Sequence, residues 1–90
     1  MSNDFQIAET ENFSKKILKP EFKVLYNKIK SYVYPQLRKN PFFGLNIKKL
    51  KGEFKDVYRY RIADFRLFYT IVENKVLVIM LDLAKRKDSY

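Results

Sequence analysis

The chain has no cysteine and no histidine. The first absence excludes disulfides and every thiolate reaction. The second removes the side chain whose unperturbed pKa lies nearest neutrality, and with it the commonest transition-metal ligand. Lacking both, the chain is a poor zinc protein, and no metal or other cofactor is expected. No apolar run approaches the roughly 20 residues that span a bilayer, so no membrane association is expected. The start, Met1-Ser2-Asn3-Asp4-Phe5, lacks a basic segment followed by an apolar one. A signal peptide is therefore not expected, and a cytoplasmic location is the simplest reading.

What the 90 residues do contain is apolar and basic: 47% hydrophobic, 17% aromatic, with a net charge of +9. That length predicts one domain, residues 1–90, burying roughly 60% of its unfolded surface. The charge is uneven. Residues 15–39 hold eight Lys and Arg against Glu21, and residues 48–61 hold Lys48, Lys49, Lys51, Lys55, Arg59 and Arg61 against Glu53 and Asp56. Clustered Lys and Arg at a pI near 9.8 form the electrostatic footprint of a polyanion binder.

Periodicity predicts an α+β fold. Phe5 to Ala8 alternates weakly and suits a short first strand joining the sheet. Thr10 or Asn12 is placed to cap a helix on which Phe13 and Ile17 share a face. Pro20 suits the first turn of a second helix, along which Phe22, Leu25, Tyr26, Ile29, Val33 and Leu37 recur at helical spacing. Pro35 is expected to break or bend it. The two helices form an α-hairpin packed on one face of an antiparallel meander. Asn40 to Gly44 reads as a loop with its aromatics turned to the core, and Leu45 to Lys55 as a basic connection turning at Gly52. Three strands follow: Val57–Ile62, Phe65–Glu73 and Val76–Ala84. They are joined by two-residue turns at Ala63-Asp64 and Asn74-Lys75, neither of which holds a glycine.

With Ala63-Asp64 as the turn, Arg61 faces Arg66 and Arg59 faces Phe68. Side chains alternate between sheet faces. Arg59, Arg61 and Arg66 then share one face, while Tyr58, Tyr60, Ile62, Phe65 and Leu67 share the other and receive the helices. Like charges opposed across a strand pair are destabilising. An anion relieves them, and phosphate fits the planar fork of arginine. The alternative is internal neutralisation by Glu53, Asp56, Asp82 or Asp88.

These residues, in order, resemble the RelE/ParE toxin superfamily. The resemblance is carried by Leu50-Lys51-Gly52, Tyr58-Arg59-Tyr60-Arg61-Ile62, Asp64-Phe65-Arg66-Leu67-Phe68-Tyr69 and Arg86-Lys87-Asp88-Ser89-Tyr90, and covers nearly the whole chain. The terminal Arg86 and Tyr90 are most similar to the RelE branch. The resemblance implies a toxin of a type II toxin–antitoxin system: a metal-independent endoribonuclease (mRNA interferase) that cuts mRNA in the ribosomal A site and stops translation. It implies two partners, a cognate antitoxin protein and the ribosome with its 16S rRNA and A-site mRNA. ParE-type members instead poison DNA gyrase, and a non-catalytic basic RNA-binding protein is a third reading. Where well-known RelE members carry lysines this chain has Arg59 and Arg61. A glycine common before the turn is Ala63, and a histidine common before the late arginine is Lys85.

Metal-free RNA cleavage uses the 2′-hydroxyl as nucleophile. The implied catalytic set is Arg59, Arg61, Arg66, Arg86 and Tyr90. The three sheet arginines clamp the phosphorane charge. Tyr90 is a candidate base if neighbouring cations lower its pKa, and Arg86 a candidate donor to the leaving oxygen. Lys48, Lys49, Lys51, Lys55, Lys85 and Lys87 are candidate contacts to RNA and the ribosome. A set so far from neutral pKa values works poorly alone. Alignment of the mRNA by the ribosome would supply several kcal/mol, up to about 7–11 in favourable cases.

Overall fold

The computed structural model describes residues 4–52 and 56–85. The chain opens with β1 (Gln6–Glu9) and α1 (Glu11–Ile17). Of the two possible caps, Thr10 does the work: its backbone is extended (φ −70°, ψ 162°) and its Oγ1 accepts the Phe13 N–H at 3.1 Å. Phe13 and Ile17 are buried from α1, each stabilising the fold by about 1.5–3 kcal/mol.

Pro20 opens a 3₁₀ turn (Pro20–Phe22) that leads into α2 (Lys23–Lys28). The expected break at Pro35 does not occur. Residues Ile29–Val33 form a π-helical turn, in which the Tyr34 N–H reaches back five residues to the Ile29 carbonyl, and α3 (Tyr34–Lys39) follows. Proline in a helix interior removes one bond and clashes with the carbonyl four residues back. Pro35 stands directly after this wider turn, where the helical ladder changes register, and is accommodated without a break in the helix.

The strands β2 (Ile47–Lys49), β3 (Tyr58–Ile62), β4 (Phe65–Val72) and β5 (Leu77–Lys85) complete a five-stranded sheet in the order β1-β5-β4-β3-β2. The meander is antiparallel, and the first strand joins it as expected, parallel to β5 with Ile7 opposite Val78. One segment differs: residues 47–49, expected within a connection, are an edge strand antiparallel to β3.

The first hairpin turns through Ala63-Asp64, with Ile62 opposite Phe65 and Ala63 at φ 51° supplying the positive φ that tight hairpins need. The second is longer than expected. A 3₁₀ turn (Glu73–Lys75) and Val76 at φ 51° separate the facing pair Val72 and Leu77. With no glycine available, a loop built on a helical turn confines the strained backbone to one residue. A bulge also interrupts β4–β5: Phe68 faces Asp82 but Tyr69 faces Met80, leaving Leu81 as the extra residue. The Leu81 carbonyl accepts bonds from Thr10 Oγ1 and Asn12 Nδ2, each at 3.1 Å, so the start of α1 covers the bulge.

The helices lie on one sheet face. Ile29, Val33 and Leu37 meet Leu67, Tyr69, Val78 and Met80 in the core. Tyr69 is fully buried, its hydroxyl donates to the Pro41 carbonyl at 2.7 Å, and burial pushes its pKa upward. Phe42 packs edge-on against Phe5 and Tyr58, whereas Phe43 is 78% exposed, so only the first aromatic of the loop joins the core. Among the described residues, no helix is long and apolar enough to cross a membrane.

Candidate nucleic-acid interface

The face of the sheet opposite the helices carries the arginines. Tyr58, Tyr60 and Leu67 are buried against the helices, so alternation turns Arg59, Arg61 and Arg66 the other way. Arg61 faces Arg66 directly. The Arg61 N–H donates to the Asn46 carbonyl at 2.9 Å on the β2 side, and so is not spent on Arg66. Such a non-hydrogen-bonded pair holds its Cα atoms only about 4.5 Å apart. One row further along, Lys48, Arg59 and Phe68 follow in register across β2, β3 and β4, with Asp82 next on β5.

Four cationic side chains thus start from adjacent rows on a hydrogen-bonded platform. Arg59 and Arg66 are half-buried, with their Nε atoms out of contact with solvent, while Arg61 is exposed. A cleft of about 260 Å³ runs beside them, lined by Leu45, Asn46, Ile47, Lys48, Arg59 and Arg61. The tyrosines beneath set the backbone: Tyr58 stacks on Tyr69 with centroids 5.5 Å apart, and the Tyr60 hydroxyl donates to Gln36 Oε1 at 2.7 Å.

Of the acidic groups considered as internal partners, Asp82 is held by Lys16 at 2.6 Å and by the Leu83 N–H at 2.8 Å. Burial acts to raise its pKa, but these bonds and the Lys16 charge outweigh burial and leave it lowered. Asp56 is exposed. Glu53 and Asp88 lie outside the described residues.

The remaining sites from the sequence divide. Lys48 stands with the arginines. Lys49 faces Tyr58, so it projects from the other side, its Nζ 5.8 Å from that ring. Lys51, exposed past the end of β2, lines a separate cleft with Gly52 and Asp56. Lys85 is exposed and faces Phe65, on the helix-side alternation and away from the arginines. Lys55, Arg86, Lys87 and Tyr90 lie outside the described residues.

Two features escaped sequence reasoning. Asn46 joins the arginine cleft because β2 pairs with β3, and the short β2 gave no alternating signal to reveal it. Glu9, at the end of β1, accepts the hydroxyls of Tyr26 at 2.8 Å and Tyr34 at 2.6 Å, with Ser14 Oγ at 3.4 Å. Burial, then the Glu9 bond and charge, push Tyr26 up to about 12 and drive Tyr34 in the same direction. This cluster ties β1 to the helical layer and lies apart from the arginines.

The architecture is found in solved toxin structures. The RelE–RelB complex of Pyrococcus horikoshii OT3 contains a chain superposing with a TM-score of 0.76 at 21% identity, covering 96% of this chain and 99% of that one. The isolated E. coli RelE toxin gives 0.75 at 23%, covering 94% and 87%. The YoeB/ParE toxin from Agrobacterium tumefaciens gives 0.75 at 16%, covering 92% and 100%. No family model and no curated protein sequence matches the chain. The fold is that of the small toxins in this group. It is a helical segment packed on a five-stranded mixed sheet, as in the RelE structures.

Proposed function

We propose that residues 1–90 form a single RelE-like domain, the toxin of a type II toxin–antitoxin pair, acting as a ribosome-dependent mRNA endonuclease. The observation that carries this reading is the facing of Arg61 and Arg66, with Arg59 and Lys48 in the next row of the same face. Such a platform stabilises a pentavalent phosphate better than a ground-state diester, because charge grows on the nonbridging oxygens as the 2′-oxygen attacks. The P–O5′ bond breaks as the new P–O2′ bond forms. One proton leaves the 2′-hydroxyl and one joins the 5′-oxygen. Tyr90 and Arg86 are the side chains proposed for these transfers.

Lys49, Lys51, Lys55, Lys85 and Lys87 are proposed to contact ribosomal RNA. The cognate antitoxin would present acidic groups to the arginine face, where opposite potentials favour fast association. The test is an in vitro translation reaction with defined mRNA. The wild-type chain is expected to cut mRNA in the A site and to leave naked RNA almost intact. Arg66→Ala should slow cutting about 10²–10³-fold, the loss typical of one charge-stabilising donor. Inhibited DNA supercoiling with translation untouched would instead establish the ParE-type reading.

A further inference from the structure

A second groove, of about 540 Å³, lies between the helical layer and the free end of β3, lined by Lys28, Tyr32, Gln36, Asn46, Tyr60 and Arg61, among others. It meets the arginine cleft at Asn46 and Arg61, which line both. The hydrogen bonding of β2 to β3 ends at Asn46, whose carbonyl accepts the Arg61 N–H, so a chain leaving the arginines can round the edge of β3 beyond it into this groove.

The chemistry along its wall differs from that of the platform. Tyr32 stands at the rim with 71% of its surface exposed, so its ring face is open to a ligand. It lies on the π turn Ile29–Val33, and such turns recur at functional positions because they re-aim side chains. Gln36 is fixed by the bond that its Oε1 accepts from Tyr60, leaving its amide nitrogen as a donor. Asn46 adds a second amide to the lining, and Lys28 and Arg61 add two cations. An aromatic face, amides and cations together are what an unpaired base with its phosphates requires.

We propose that this groove is a nucleobase subsite: Tyr32 stacks on an unpaired base of single-stranded RNA whose adjoining phosphate is held by Arg61. The assignment rests on the RNA-directed reading above and deepens it. It places one base of the bound strand on the helix side of the molecule, away from the face where the scissile phosphate is held. An acidic peptide is the competing occupant, and it would need the cations but not the ring.

The test measures binding of a fluorescent single-stranded RNA hexanucleotide to the full chain at low salt, beside two base-free probes, tripolyphosphate and a poly-glutamate peptide. Tyr32→Ala should weaken the hexanucleotide about 10-fold or more and leave both base-free probes unchanged, whereas Tyr32→Phe, which keeps the ring, should bind as wild type. The exposed position of Tyr32 lets both variants fold, as circular dichroism would check. Unchanged hexanucleotide binding by Tyr32→Ala overturns the subsite, as does an equal loss for all three probes. If Arg66→Ala loses the RNA while Tyr32→Ala keeps it, the subsite falls and the arginine platform stands. If wild type binds no hexanucleotide the subsite also falls, and the translation assay alone decides the parent reading.

Discussion

Arg61 and Arg66 face each other directly across β3 and β4, a placement of like charges that works against stability. The Glu9 cluster is the opposite case, with one carboxylate meeting two tyrosine hydroxyls from the helical layer. It sets a pH limit whose sign follows from the direction of the shifts. Tyr26 and Tyr34 are raised in the folded protein, so their contribution is complete below the ordinary tyrosine pKa near 10. It is lost as pH climbs through the Tyr26 value of about 12. Alkaline titration followed by tyrosinate absorbance and far-ultraviolet circular dichroism should show loss of structure across that interval. Tyr34→Phe should lower stability by about 1–3 kcal/mol, because it leaves Glu9 short of a donor.

At the scale of elements, α1 depends on one hydroxyl. Thr10 Oγ1 caps the helix and also donates to the Leu81 carbonyl in the bulge. Thr10→Ala should cost about 1–2 kcal/mol in urea denaturation, toward the upper end of the range for a helix cap because two bonds go at once. The loop before β2 is constrained differently. A Cβ at Gly44 would lie 2.6 Å from Gln36 Nε2, so Gly44→Ala should displace the Gln36 amide. The lost Tyr60–Gln36 bond costs about 1 kcal/mol, readable as a fall in melting temperature.

The same elements show what a sequence can disclose. The register of the β3–β4 hairpin was legible, because alternating large side chains on both sides of Ala63-Asp64 leave one pairing that buries Tyr58, Tyr60 and Leu67 together, although each strand is one residue shorter at its outer end than expected. That register placed the three arginines on one face. The strand β2 was not legible: three residues with one apolar side chain carry no period, and its pairing is decided by β3. Nor was the π turn, since helical spacing reads alike on either side of it and only Pro35 hinted at an irregularity. The bulge at Leu81 is stabilised by Thr10 and Asn12, residues too distant in sequence for a local pattern to register.

For the molecule as a whole, the RNA-directed reading proposed above, together with the +9 charge and the one-sided arrangement of Lys48, Arg59, Arg61 and Arg66, predicts an affinity steeply dependent on salt. If all four neutralise phosphates, log K should fall against log salt with a slope of about −3, and Arg66→Ala should flatten it by about 0.7. Fluorescence titrations of a single-stranded oligonucleotide across a salt series measure both. A slope that the substitution does not change would place Arg66 away from the backbone of the bound strand.

The pairing of β1 with β5 carries a consequence for how the protein comes into being. Thr10 and Leu81, whose bond locks the two ends of the fold together, stand 71 positions apart. The opening strand therefore has no sheet partner until β5 is in place. Sequence-distant pairing of this kind is slow to nucleate. The β1–β5 pairing is thus expected among the last contacts to form as the chain folds, after the local β3–β4 and β4–β5 hairpins.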